Sequence, residues 1–251
     1  MRLTRIYVDA PLAAGAAVSL PAAPAQHLTR VLRLQVGATL RAFNGRGGEF
    51  DAVIESVQRD AVLLRLGAYQ HTATESPLQV TLLQGIARGE KMDLILQKAT
   101  ELGVTAVVPV STARSTVKLD EHTSARKMLH WQGVVIGACE QSGRERIPTV
   151  ASPAGLATAV EASAAQLKLL LVPEAAAGTL KTLLAAASAG SSQAPSICLL
   201  VGPEGGLDSQ EVQLAKNAGF QSCQLGPRVL RTETAALTAL AALQSLAGDL
   251  T

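Results

Sequence analysis

The 251-residue sequence predicts an α/β protein in two parts, a compact β-barrel followed by a mostly parallel sheet covered by helices. Three observations carry that prediction. Up to about residue 70 the apolar runs are short and separated by turn signals. From Leu78 onward, strand-like and helix-like segments alternate. Between the two regimes lies the polar segment QHTATESP, Gln70 to Pro77, which reads as a linker and gives domains over residues 1–72 and 73–251.

In the first part the strands are TRIYVDA, AAVSL, ATLRAF, EFDAVIESVQ and AVLLRLGAY, broken by turns such as NGRGG and QRD. One helical interruption, PAQHLTRVLRL, sets His27 and Arg30 on neighbouring faces with Val31 or Arg33. In the second part LQVTLLQGIA is a strand, and GEKMDLILQKATELG is an amphipathic helix stopped by Gly103. VTAVVPV is a buried strand, and a long helix then runs from Asp120 to Gln141. The strand IPTV, a helix from Ser152 and the strand LKLLLV follow. After an Ala/Gly/Ser-rich stretch up to Pro195 come ICLLV, a helix, FQSCQLG and a final Ala/Leu helix.

Composition narrows the classes. Hydrophobic residues make up 48%, enough for a buried core. The net charge is only +2, but residues 1–50 hold Arg2, Arg5, Arg30, Arg33, Arg41 and Arg46 against Asp9 and Glu49. That excess of four positive charges is either a phosphate-binding face or a scatter of solvated arginines. Cys139, Cys198 and Cys223 have no CxxC spacing, which implies a reducing compartment and no zinc site. Asp9 and Pro11 interrupt what would otherwise resemble a signal peptide, and TAALTALAALQSLAG is too short to span a bilayer. The expectation is a soluble cytoplasmic protein without a membrane segment.

The stretch LLVGPEGGLDSQEV is the most informative. Asp208 and Glu211 form a capping-box pattern, with Leu207 and Val212 as a hydrophobic staple, so strand, turn and helix are expected. Such a turn falls at the carboxyl end of a strand, where open α/β sheets collect ligands. A dinucleotide reading fails, because Pro203 removes a donor and Glu204 would repel a phosphate. The turn suits an uncharged ring or a cationic ligand such as S-adenosylmethionine, or is a plain tight turn. A second glycine-proline turn, LGPRVLRTETAALTALAALQ, precedes a helix that Thr232 is expected to cap. Two such turns at adjacent strand ends would face one cleft. A nucleotide-dependent oxidoreductase and a non-catalytic RNA-binding module are the rival readings.

Together with KMDLILQKATELGV, ACEQSGR and HLTRVLRL, these motifs resemble the bacterial ribosomal RNA small subunit methyltransferase E family of the SPOUT superfamily. The resemblance runs from RIYV to the last helix. It implies a PUA-like β-barrel that contacts RNA, a SPOUT α/β domain with a deep trefoil knot, and a homodimer with active sites at the subunit interface. The implied reaction is methyl transfer from S-adenosylmethionine to N3 of uracil 1498 in 16S ribosomal RNA of the small subunit, with no metal.

Carried onto this sequence, the cofactor-binding positions are Gly202, Glu204, Gly205 and Gly206 in one loop and Leu225, Gly226, Pro227, Arg228, Val229 and Leu230 in the threaded loop. Val172 and Pro173 supply a third wall, and Glu174 faces either the sulfonium or solvent. For catalysis, negative charge developing on the uracil carbonyls calls for an arginine fork. Arg144 and Arg231 are the candidates, Arg144 reaching a neighbouring subunit's site or merely meeting a helix terminus. Glu140 and Glu233 are open as bases. The expected RNA contacts are Arg5, Tyr7, His27, Arg30 and Arg33, with Arg114 and Lys118 as a second patch.

Overall fold

The computed structural model describes residues 3–59, 61–115, 121–173, 178–189 and 194–250. Its chain forms two compact units, one comprising residues 1–75 and 139–147, the other 76–138 and 148–251.

The first unit contains β1 (Arg5–Tyr7), β2 (Ala17–Leu20), α1 (Ala22–Gln26), β3 (Thr39–Phe43), β4 (Glu49–Val57) and β5 (Val62–Gln70). All five expected strands form. They pair in the order β1-β3-β4-β5-β2, with β1 parallel to β3 and the rest antiparallel. Register shifts between Phe50 and Ala52 and between Ile54 and Ser56 bend β4, and the sheet is a half-barrel closed over Ile6, Leu20, Leu28, Leu40, Ile54 and Leu64. The expected single helix around His27 divides: α1 ends at Gln26, and His27–Val31 widen into a π-helical turn. Leu28 is fully buried there while Arg30, Val31, Leu32 and Arg33 are exposed, and Arg33 takes a left-handed φ of 55°.

Residues 139–147 complete this unit through buried polar contacts. Arg5 donates from Nε to Glu49 Oε2 at 2.7 Å and from its Nη atoms to the carbonyls of Cys139 and Arg144. Its guanidinium also lies 4.3 Å from the Phe43 ring centroid. Arg144 pairs with Glu75 at 2.7 Å, and the same carboxylate accepts the Glu145 and Arg146 N–H groups. Glu145 in turn accepts from Gly48 N and from the Thr72 hydroxyl.

The second unit contains β6 (Val80–Gly85), α2 (Glu90–Glu101), β7 (Ala106–Ser111), most of α3 (Glu121–Ser142), β8 (Thr149–Val150), β9 (Ala154–Gly155), α4 (Leu156–Glu161), β10 (Leu167–Leu171), β11 (Gly178–Thr179), α5 (Leu180–Ala187), β12 (Ile197–Val201), α6 (Ser209–Asn217), β13 (Gln221–Gln224) and α7 (Thr232–Ala247). Every ladder is parallel, in the order β11-β13-β10-β12-β6-β7-β8. All five residues of β12, ICLLV, are buried, as a strand covered on both faces requires. Helix α2 buries Met92, Ile95, Leu96 and Ala99 at helical spacing, and Gly103 follows it at φ 79°, as its C-cap pattern predicts.

Two local expectations are corrected. The helix expected from Ser152 begins at Leu156, because Ala154 and Gly155 first pair with Val110 and Ser111 of β7. Strand and helix also form at β11 and α5, within the Ala/Gly/Ser-rich stretch for which the sequence predicts no element. Among the described residues, no helix is long and apolar enough to cross a membrane.

Candidate active site

The carboxyl ends of β10 and β12 and the loop after β13 line one cleft of about 680 Å³, within the ~300–1,000 Å³ range of small-molecule sites. A smaller chamber, sharing Leu171, Val172, Pro173, Val229 and Leu230, adjoins it. The sheet order corrects one expectation about it. The two glycine-proline turns leave β12 and β13, which are not neighbours, because β10 lies between them. Val172 and Pro173, directly after β10, therefore form the wall between the two turns.

The first turn is built from its own main chain. Gly206 N–H donates to the Pro203 carbonyl at 2.9 Å, with Gly206 at φ 69°. Asp208 accepts from Glu211 N–H while Glu211 Oε2 accepts from Asp208 N–H, the reciprocal cap expected from the sequence. The amino end of α6 is thus occupied by its own carboxylates, and Pro203 has no N–H, so this turn and helix start do not form the phosphate-binding helix terminus of a dinucleotide site. Beneath the turn, a Cβ at Gly85 would stand 2.4 Å from Pro203 N. The end of β6 is glycine because the turn lies directly against it.

The second turn is fastened to the first. Thr232 is expected to cap α7, but Arg231 occupies the N-cap, with φ −66° and ψ 156°, and Thr232 is the first helical residue. Its hydroxyl is freed to donate to the Gly202 carbonyl at 2.6 Å and to accept from Gln84 Nε2 at 2.9 Å.

Of the expected cofactor positions, Val172, Pro173, Gly202, Glu204, Gly205, Gly206, Val229 and Leu230 line the main cleft, and Leu225, Gly226 and Arg228 line the adjoining chamber. Pro227 lines neither. Glu174 lies outside the described residues, as does Lys118. The Glu204 carboxylate accepts from Arg88 N–H at 3.1 Å and pairs with Lys91 at 3.3 Å. Burial alone would raise its pKa, but these donors outweigh it and hold the carboxyl below the usual range. Its charge is therefore spent within the wall.

The arginines separate. Arg231 lines the cleft and is exposed, and Arg114 lines it too. Arg144, expected to reach another subunit's site, is 5% exposed and held by Glu75, so its fork faces into the first unit. Arg5, expected on an RNA face, is 8% exposed with its donors consumed internally. His27, Arg30 and Arg33 are exposed, and Tyr7 is half-buried. Sequence reasoning missed Gln84, Gly85 and Lys91. A glycine inside a strand pattern, as at Gly85, is the signal for close backbone approach.

The geometry fits S-adenosylmethionine. Main-chain polar groups, glycines and the apolar Val172, Pro173, Leu225 and Leu230 suit a neutral purine, and no phosphate cradle is present among the described residues. Comparison with known proteins agrees with that chemistry. The family described as RNA methyltransferase domain matches residues 74–244, and the RNA methyltransferase PUA domain matches residues 21–67. The ribosomal RNA small subunit methyltransferase E of Synechocystis is 37% identical over 92% of this chain and 74% of its own. A methyltransferase of Legionella pneumophila, solved with bound S-adenosylmethionine, is 41% identical with a TM-score of 0.93, covering 100% of both chains. The ribosomal RNA small subunit methyltransferase E of Neisseria gonorrhoeae, bound to S-adenosylmethionine, is 37% identical with a TM-score of 0.89 over 100% of both chains.

Proposed function

The chain belongs to the ribosomal RNA small subunit methyltransferase E family, and from that footing we propose that it methylates N3 of uracil 1498 in 16S ribosomal RNA, using S-adenosylmethionine. One observation carries the placement of the chemistry: the loops after β10, β12 and β13 close a single cleft, bolted by Thr232 to Gly202. When bound there, S-adenosylmethionine supplies an electrophilic methyl group.

The chain's own residues do the rest. The main chain of residues 202–206 and the apolar wall at Val172, Pro173 and Leu230 orient the donor and exclude water. N3 of uracil is a weak nucleophile until its proton leaves, and negative charge then spreads over the two ring carbonyls. Arg231, at the amino end of α7 in the cleft wall, offers the paired donors of its guanidinium fork to that charge. Thr232 fixes the position of that arginine by fastening the adjacent residue.

In this proposal the half-barrel unit carries RNA contacts through His27, Arg30, Arg33 and Tyr7, and Lys118, which belongs to the second unit, is a further contact. The exposure of His27, Arg30 and Arg33 on and just after one π-helical turn supports it. The proposal includes a trefoil knot formed where residues 225–231 thread the second unit, and a homodimer acting in the cytoplasm. Val229, 81% exposed, and the exposed Leu246 and Leu250 are apolar side chains that a second copy would cover in this proposal.

Incubating the protein with labelled S-adenosylmethionine and small ribosomal subunits from a methylation-deficient strain tests the whole reading. Label at N3 of uracil 1498 is the expected result; label elsewhere, or none, sinks it.

A further inference from the structure

Arg114, expected from the sequence as an RNA contact in a second patch with Lys118, forms part of the cofactor cleft. The turn that carries it is fastened to the first glycine-rich loop at two points. Arg114 Nη1 donates to the Gly205 carbonyl at 3.1 Å, and Ala113 N–H donates to Glu211 Oε1 at 2.7 Å. The turn is closed on itself by the Thr112 and Ser115 hydroxyls, 3.0 Å apart. A Cβ at Gly205 would stand 2.9 Å from Arg114 Cβ and 3.2 Å from its carbonyl oxygen. Gly205 does not have a left-handed φ. The residue is glycine because the Arg114 turn approaches that closely.

The charges of the cleft say what this arginine is for. Lys91, Arg114, Glu204 and Arg231 all line it. Lys91 and Glu204 neutralise each other at 3.3 Å. Among the described residues neither Arg114 nor Arg231 forms an ion pair, and both are exposed. S-adenosylmethionine carries a sulfonium and an ammonium against one carboxylate, so it is a net cation and does not compensate two guanidinium groups. A second, anionic ligand does, and a polynucleotide brings that charge in its backbone.

We propose that Arg114 is an RNA-binding residue of the methyl-transfer cleft itself, gripping a backbone phosphate beside the target nucleotide with the guanidinium N–H groups left free by Gly205. This rests on the reading of the protein as an RNA methyltransferase. The loop that receives the cofactor then also sets the position of the substrate contact, so both ligands are registered against one short stretch of main chain. Glu211 acts as a positioning residue, since its carboxylate holds both α6 and the Arg114 turn.

The test compares the full-length protein with Arg114→Ala and Arg114→Lys. Methyl transfer to small ribosomal subunits is measured over a range of subunit concentration and salt, with S-adenosylmethionine affinity taken by calorimetry and folding by thermal melting. Losing a charge-assisted contact to phosphate should raise KM for subunits about tenfold or more in Arg114→Ala. Cofactor affinity should stay within about twofold, and the salt dependence should become shallower by about one phosphate contact. Arg114→Lys, keeping the charge but not the fork, should fall between. A large loss of cofactor affinity with KM for subunits unchanged would mean that Arg114 holds the cofactor carboxylate, and would overturn the proposal. So would an unchanged KM in Arg114→Ala, or failure of both variants to fold. Absence of methyl transfer by the unaltered protein would instead remove the parent reading.

Discussion

The Thr232 hydroxyl donates to the Gly202 carbonyl at 2.6 Å while accepting from the Gln84 side-chain amide. One hydroxyl thus joins the ends of β6 and β12 to the start of α7. Thr232→Val keeps the shape and removes both bonds, leaving a buried amide and a carbonyl without their partner. The cost should be about 1–3 kcal/mol, read as a lower melting temperature, together with weaker S-adenosylmethionine binding in a titration. Unchanged binding would show that the bolt does not shape the cleft.

Gly85→Ala should be more damaging than its size suggests. The added methyl would meet the backbone nitrogen of Pro203 at 2.4 Å and its Cδ at 2.6 Å, and main chain yields less readily than a side-chain tip. Overpacking of this kind costs ~1–3 kcal/mol. Cofactor affinity, measured by calorimetry on protein that still melts cooperatively, should drop at least tenfold.

Arg144→Ala should act on stability first. It leaves Glu75 without its guanidinium partner in a pair whose side chains are 7% and 19% exposed. Breaking one side of a buried pair costs ~3–5 kcal/mol. Urea denaturation should show that loss, with S-adenosylmethionine affinity kept because Arg144 lines no part of the cleft. Full stability in the variant would contradict the structural role.

Glu140 gives a pH-dependent prediction. Burial pushes its carboxyl up, against the Tyr7 N–H that donates at 2.8 Å and the charges of His27 and Arg5. A carboxyl with a raised folded pKa binds its proton more tightly in the native state than in the unfolded chain. Its contribution to stability therefore declines as pH rises from the ordinary glutamate value of 4.5 through the folded one. Glu140→Gln keeps an acceptor for Tyr7 without the buried charge. It should melt higher than the parent near neutral pH and equal it near pH ~4; a lower melting temperature at neutral pH would reverse the sign assigned to this group.

Local physics was legible in the sequence wherever the cause is local. The capping box at Asp208 and Glu211, the stop at Gly103 and the all-apolar strand ICLLV follow from neighbouring residues alone, and each forms as expected. The division of the helix at His27 and the delayed start of α4 did not, because each reflects contacts made elsewhere: burial of Leu28, and pairing of Ala154 with β7. Charged side chains were the least legible. An arginine in a one-dimensional pattern reads the same whether it faces solvent, as Arg30 does, or enters a buried network, as Arg5 and Arg144 do.

The sequence by itself determined that a strand, a phosphate-averse turn and a capped helix follow one another from Ile197 to Asn217, and that the turn suits an uncharged or cationic ligand. Only the tertiary structure decided which residues face one another across that site. It placed β10 between the two turns, moved Thr232 from cap to bolt, and brought Arg114 against Gly205. The physical reason is that caps and turns are satisfied within a few residues, whereas a cleft is closed by groups more than a hundred residues apart, such as Gln84 and Thr232, whose meeting is set by the order of strands in the sheet.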